Sequence, residues 1–232
     1  DSDWSSHVCS SDLVKRFPAT MMLATAALAL SVVVSIPLGI IAALWRGSLL
    51  DSLSRLLALL GAAIPSYVLA LLLMLFIAVK LNWLPAIGYG SPKNLILPAI
   101  ALAAGSSAQV MRLTRASMLE VLQQDYMRTA RSKGLNERTV VMVHGLKNGL
   151  LPVVTMLGIN LGHLLGGTVI VETIFGWPGV GRYAVESILQ RDYPVVQGFV
   201  LYMAFIFLLA NLAVDFAYRW LDPRLHFDRQ PA

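Results

Sequence analysis

The sequence predicts an all-α, polytopic membrane helical bundle with five transmembrane helices. Three observations carry this prediction. The 232-residue chain is 57% hydrophobic and only 13% charged, and its mean hydropathy is +0.69. Soluble domains carry roughly 25% charged and about 45–50% apolar residues, so the excess here must face lipid. The apolar residues are gathered into runs of bilayer-spanning length, about 20 residues each for a helix. Between the runs lie segments in which the basic residues collect.

Residues 1–13 (DSDWSSHVCSSDL) are polar and aperiodic, and meet the first apolar run abruptly. They read as a non-native or disordered segment, similar to translated sequencing-adapter read-through, and His7 and Cys9 receive no function. The membrane domain is expected over residues 14–232. Its first span, Ala19–Trp45, is uncharged, and Arg46–Asp51 forms a short turn. The second span, Leu56–Val79, contains Pro65, which is expected to kink it. Lys80–Pro98 is a loop rich in Gly, Pro and aromatics, with Trp83 and Tyr89 as interfacial anchors. The third span, Leu95–Val110, extends toward Met118 and leads into a long helix-prone loop with Gly134 inside it. The fourth span, Leu150–Phe175, is uncharged until Glu172. A tight turn and a short amphipathic helix follow over Gly176–Tyr193. The fifth span, Val195–Tyr218, is uncharged until Asp215, which is placed to pair with Arg219 one turn later.

The basic residues orient the bundle. Counted over alternating loops, twelve Lys and Arg residues lie on one side and four on the other. The richer side is cytoplasmic by the positive-inside rule. The start of the chain is then outside and its C-terminus cytoplasmic. Five spans with an external start imply that a first helix of six, with its loop, precedes this sequence.

Composition excludes several functions. The net charge of +5 comes from basic residues scattered between apolar runs, with no dense cluster of the kind nucleic acid binding needs. A single Cys excludes an intramolecular disulfide and a Cys-rich metal site. The first apolar run is too long for a cleaved signal peptide. The four His are scattered and neither HExxH nor GxSxG occurs, so no metal site and no enzyme activity is expected. A secondary transporter or channel would carry deep charges or repeated halves, and neither is present.

The long loop, about 119–149, carries the strongest signal. Two helical stretches flank Gly134, which can break the helix and take a positive φ. Asn136 can cap the second stretch. Arg131, Lys133 and Arg138 are expected to point at polar partners, while Ala130, Leu135 and Val140–Val143 offer an apolar knob. Such a helix suits a groove on a soluble partner, although composition alone equally fits a helix resting on anionic lipid.

The wording of the loop, YMRTARSKGLNERTVVMVHGLKNGLLP, resembles the cytoplasmic "EAA" coupling loop of binding-protein-dependent ABC importer permeases. It is closest to the dipeptide/oligopeptide/nickel subgroup at Tyr126, Arg128, Thr129, Ala130, Lys133, Gly134, Leu135, His144, Asn148, Leu151 and Pro152. Flanking stretches fit the same subgroup: LTRASMLEVL before the loop, VETIFGWPGVGR at Val171–Arg182, RDYPVVQG at Arg191–Gly198 and LDPR at Leu221–Arg224. The resemblance spans about Phe17–Arg224. The Glu that names the loop in the wider superfamily is Arg128 here, a replacement that resembles the subgroup's own pattern.

The resemblance implies a mechanism and its partners. Two permeases, each nominally with six spans, would enclose a translocation path, here as a heterodimer. Two ATPase subunits would bind beneath, each taking one coupling loop, and an extracytoplasmic binding protein would deliver short peptides or related solutes from above. Glutathione or nickel complexes are the alternative cargo. ATP and Mg would belong to the partner subunits, because this chain has no GxxxxGK[ST] loop. Movement of Met127–Val143 would then swing the spans between inward- and outward-open states.

The fourth span and the turn after it supply the remaining candidates. Gly158, Gly162 and Gly166 recur every four residues, a face suited to close helix packing. Asn160, His163, Thr168 and Glu172 are costly at membrane depth unless they face protein or water. They are candidates for the translocation path, Glu172 near its outer mouth; the alternative for Asn160, His163 and Thr168 is hydrogen bonding to neighbouring helices. Gly176, Trp177, Pro178 and Gly179 form an external turn that can shape an outer gate or a docking surface for the binding protein; the alternative is a re-entrant turn that Trp177 anchors at the interface.

Overall fold

A computed structural model describes the backbone of residues 2–221, and the side chains in that range except at residues 2–10, 167, 213–215 and 217–221. The expected Asp215–Arg219 pair, His7, Cys9 and Arg224 therefore lie outside the described residues. No strand occurs among the described residues.

Helix α1 (Ser2–Leu44) is continuous through Pro18 and Pro37. Its backbone is helical from Ser2 onward. Leu13 is buried against Val180 and Val195. Helix α2 (Leu49–Ala63) starts at Ser48, whose side chain accepts from the Asp51 backbone N–H, the usual means of satisfying a free helix-start donor. Helix α3 (Ser66–Leu73) continues as a π-helical stretch, Met74–Lys80.

The expected kink at Pro65 is a break. Helices α2 and α3 are bent by 99° at Ile64–Pro65. Proline lacks an N–H and forces its predecessor out of the helical region, and Ile64 duly takes an extended ψ of 119°.

Helix α4 (Pro92–Leu122) is a full-length span with Pro98 inside it. The loop after it holds α5 (Asp125–Ser132), α6 (Glu137–Thr139), a π-helical turn (Val140–Gly145) and α7 (Leu146–Gly149). Helix α8 (Leu151–Ile174) is the fourth span, α9 (Val180–Leu189) the short amphipathic helix, and α10 (Tyr193–Leu221) the last span. Three helices are long and apolar enough to cross a membrane, or five if each bent pair is one span, counted among the described residues.

The core sits where α1, α3, α4 and α8 meet. It is built on small residues, Ala24 and Ala27 facing Ala70, Ala101 and Ala103, with Leu23, Leu97, Leu165 and Trp177 filling the gaps. Lipid tails are as apolar as leucine, so such helices associate through close contact, which small side chains allow. Helix α1 crosses α4 closely at Gly39, where a Cβ would lie 2.6 Å from Thr114 Cβ and 2.8 Å from the Met111 carbonyl oxygen. The last span contributes least: α10 leaves Leu201, Phe205, Leu208 and Phe216 exposed.

Candidate functional site

The loop around Gly134 folds back on the end of α4. Gly134 turns the chain at φ +77, and Asn136 Oδ1 accepts from the Arg138 N–H at 3.2 Å to start the second stretch. Both roles follow from the residue types. Met127, Ala130 and Val140 are buried together against Val121 and Leu122 of α4. Met118 is buried as well, and a Cβ at Gly149 would lie 2.6 Å from its Sδ. Asn148 Nδ2 donates to the Tyr126 hydroxyl at 3.0 Å, which ties α7 to α5. Two residues singled out in the sequence are thus brought together.

One expectation for this loop needs correction. The apolar knob is smaller and differently placed: Ala130, Val140 and Val141 are buried inside the loop, because they fasten it to α4. The apolar groups left outward are Leu135 at 41%, Met142 at 54% and Val143 at 57% exposure. Arg131 finds its polar partner within the loop, on its surface, donating to the two Glu137 oxygens at 2.8 and 3.0 Å. This forked pair holds the Glu137 carboxyl below its ordinary pKa, chiefly through the Arg131 hydrogen bonds. Arg128, Lys133, Arg138 and Pro152 are exposed, as is Thr129, whose hydroxyl bonds the Asp125 carbonyl. His144 is half-buried.

At the other end of the bundle, α8 stops in a glycine turn. Gly176 adopts φ +65. Its N–H donates to the Thr173 carbonyl at 3.3 Å, and Trp177 N–H donates to the Glu172 carbonyl at 2.8 Å, the paired bonds of a Schellman ending. Trp177 is then driven inward. It is 1% exposed, its indole N–H donates to the Ala19 carbonyl at 2.8 Å, and Tyr89 meets it edge-on at 4.9 Å. The expectation of an interfacial anchor is overturned: the buried α1 carbonyl offers the indole a partner inside the protein. Pro178 is half-buried beside it, and Gly179 caps α9.

Glu172 is fully buried, with 0% exposure. One carboxylate oxygen accepts from Thr20 Oγ1 at 2.7 Å and the other from the Arg182 N–H at 3.0 Å. Thr20 Oγ1 in turn accepts from the Val180 N–H at 2.9 Å. The carboxylate therefore sits at the start of α9, where helix N–H groups and the helix dipole favour an anion. A Cβ on Gly179 would overlap it. Within this chain Glu172 joins α1, α8 and α9 and is turned away from open space. Arg182 completes the clamp, donating to the Gly176 carbonyl at 2.7 Å and to Glu186 at 2.8 Å.

Of the other candidates on α8, Thr168 lies within hydrogen-bonding reach of the Glu172 carboxylate, whereas Asn160 and His163 stand apart from it. Thr168 is buried and donates to the Leu165 carbonyl of its own helix at 3.2 Å. Asn160 is buried, and its Nδ2 has no hydrogen-bond partner among the described residues. His163 is exposed, with its ring edge-on to Phe207 at 6.5 Å. Of the three glycines, Gly162 receives Phe207, whose ring atom would lie 3.3 Å from an added Cβ; Gly166 has open space. Among the described residues, no three His, Cys, Asp or Glu side chains gather as a metal site would require.

Sequence reasoning missed Thr20, Asp51, Arg115, Met118, Met127 and Arg182 as partners in these arrangements. Thr20 lies unmarked in an apolar run, and Asp51 and Arg115 bond each other at 2.7 Å across 64 residues. No local pattern reports such distances.

Comparison with known proteins bears on both ends of the bundle. Residues 35–227 match the family described as binding-protein-dependent transport system inner membrane component. The glutathione transport system permease protein GsiC of Pectobacterium atrosepticum is 44% identical over 216 residues, covering 93% of this chain and 71% of that protein. Its Escherichia coli counterpart is 43% identical over the same length. Among solved structures, the inward-facing methionine ABC transporter MetNI matches with a TM-score of 0.77 at 18% identity, over 90% of this chain and 96% of that one. An amino acid ABC transporter matches at 0.69, also at 18% identity, over 90% and 94%. At that identity the structural likeness concerns the fold.

Proposed function

This chain belongs to the family of binding-protein-dependent transport system inner membrane components, the permeases of ABC importers, and from that premise we propose how its surfaces divide the work. The helix–turn–helix around Gly134 is the site that receives an ATPase subunit. The single observation that carries this is the outward display of Leu135, Met142 and Val143 on a loop whose inner face is fastened to α4. Exposed apolar groups on a polar, self-held element mark an interaction surface, and a short helix offered this way fits a groove. The loop side is cytoplasmic, the C-terminus lies on that side, and the Gly176 turn faces outward. ATP and magnesium stay with the ATPase subunits.

The translocation path runs along the face of α8 that carries Ile159, His163, Gly166 and Ile170, all exposed in this chain. A histidine facing lipid in mid-span is costly, so this face meets water or a second permease. The second permease is a different chain, giving a heterodimer. The cargo is a short peptide-like solute; the resemblance to glutathione permeases supports glutathione or peptides of its size, presented by a binding protein outside.

The test is co-expression with the neighbouring permease and ATPase genes. Complex purified in detergent is expected to retain the ATPase subunits, and to lose them in Met142→Asp and Val143→Asp. Retention at wild-type level by both variants would count against this surface.

A further inference from the structure

Between the two ends lies an ion pair that neither the loop nor the turn accounts for. Asp51, in the first turn of α2, has a side chain only 1% exposed. Its two oxygens accept from Arg115 Nε at 2.7 Å and from an Arg115 terminal nitrogen at 2.9 Å. The Gly47 N–H donates to the same carboxylate at 3.0 Å, and Arg55 stands 3.4 Å away. This is the forked geometry that only arginine offers. It is also largely removed from water, unlike the exposed pairs that contribute little.

Its position gives the pair a mechanical meaning. Arg115 lies on α4 one turn before Met118, the residue on which Gly149 of the coupling loop rests. Val121 and Leu122, one further turn on, hold Met127 and Ala130. The loop therefore grips the end of α4. Farther along, α2 packs on α4 through Ala58 against Ala108 and Met111 and through Gly61 against the Ala104 carbonyl, beside a cavity of about 350 Å³ between α1, α2 and α4. Beyond it the second span breaks by 99° at Pro65. The forked pair adds a directional, charged tie between α4 and the base of the broken span, at the end nearest the coupling loop.

We propose that the Asp51–Arg115 pair is a positioning latch, which makes the broken second span follow the coupling loop when the ATPases close. The inference rests on reading that loop as the ATPase site. Neither residue touches solute or nucleotide; the pair acts by transmitting movement from α4 to α2.

The experiment uses the complete importer, with both permeases, two ATPase subunits and binding protein, in vesicles. Uptake of radiolabelled glutathione and of a radiolabelled dipeptide is measured against ATP hydrolysed. Asp51→Asn keeps the size and the Gly47 contact but removes the charge; Arg115→Lys keeps the charge but loses the fork. With either variant, ATPase subunits are expected to stay bound and ATP hydrolysis to persist, while uptake per ATP falls about tenfold, an ordinary size for a coupling between sites. The reversed pair, Asp51→Arg with Arg115→Asp, should regain part of that loss. Should Asp51→Asn fail to assemble, Arg115→Lys carries the same ratio. Unchanged uptake per ATP overturns the latch, and so does a parallel fall of hydrolysis and uptake, which marks a merely structural tie. If the unaltered complex retains no ATPase subunit, the coupling-loop reading fails and the latch with it.

Discussion

Gly134 and Gly176 both turn the chain in the left-handed region, at φ +77 and φ +65, yet their surroundings are opposite. A Cβ on Gly134 would meet nothing within 4 Å, whereas one on Gly176 would strike Ile87 at 2.6 Å. The turn at Gly176 is sealed: Trp177 and Glu172 are buried and their polar atoms are bonded to α1 and α9. The turn at Gly134 stands free, and its neighbours include exposed Leu135, Met142 and Val143. A buried polar group must find its partner within the chain. The exposed apolar groups of the loop have no such cover within the chain, and the proposed ATPase contact would supply it. The two glycine turns thus separate what the fold holds for itself from what it offers outward.

The contrast is broken most forcefully at the sealed end. Trp177→Ala removes a buried aromatic and its hydrogen bond, a loss of about 3–5 kcal/mol for such truncations. A large fall in thermal unfolding temperature in detergent is expected, while an unchanged value would mean that the turn is not clamped. Glu172→Ala leaves the Thr20 hydroxyl and the Arg182 N–H without their acceptor, at about 1–3 kcal/mol per buried unsatisfied group. The same melting assay should show it, with reduced uptake alongside. Glu172→Gln retains an acceptor and should cost less; it is expected to slow uptake without changing membrane insertion.

At the open end the effects should appear in binding. Leu135→Asp should leave the melting temperature in place and lower ATPase retention at least fivefold, corresponding to about 1 kcal/mol for a useful interface residue. A drop in melting temperature instead would place Leu135 in the fold. Arg131→Gln should be the smallest change, below about 1 kcal/mol, because the pair with Glu137 is partly exposed. The same pair gives a pH test. The Glu137 carboxyl is held below its ordinary value, so its contribution is present above the unfolded pKa, about 4.3 for Glu. It is lost as pH falls through the lower folded value. Amide protection around Gly134 should therefore weaken only on the acid side of that range, and not in Arg131→Gln.

Much of this was readable in advance. The spans follow from run length, the broken second span from Pro65, and the loop turn from Gly134 and Asn136. These are local consequences of chain geometry and capping chemistry, and the amino acid order alone carries them. The knob was misread because Ala130, Val140 and Leu135 are equally apolar on paper. Only the course of α4 determines that Ala130 and Val140 are covered while Leu135 is not.

The sequence by itself determined that this chain lives in a membrane, the order and rough position of its spans, and which family's loop it carries. The tertiary structure alone decided which polar groups meet: Glu172 with Thr20 across 152 residues, and Asp51 with Arg115 across 64. The physical reason is distance along the chain. Capping and helix periodicity act within a few residues. Pairing between spans depends on how helices lie against one another, and that is settled by the small-residue contacts of α1, α4 and α8 in three dimensions.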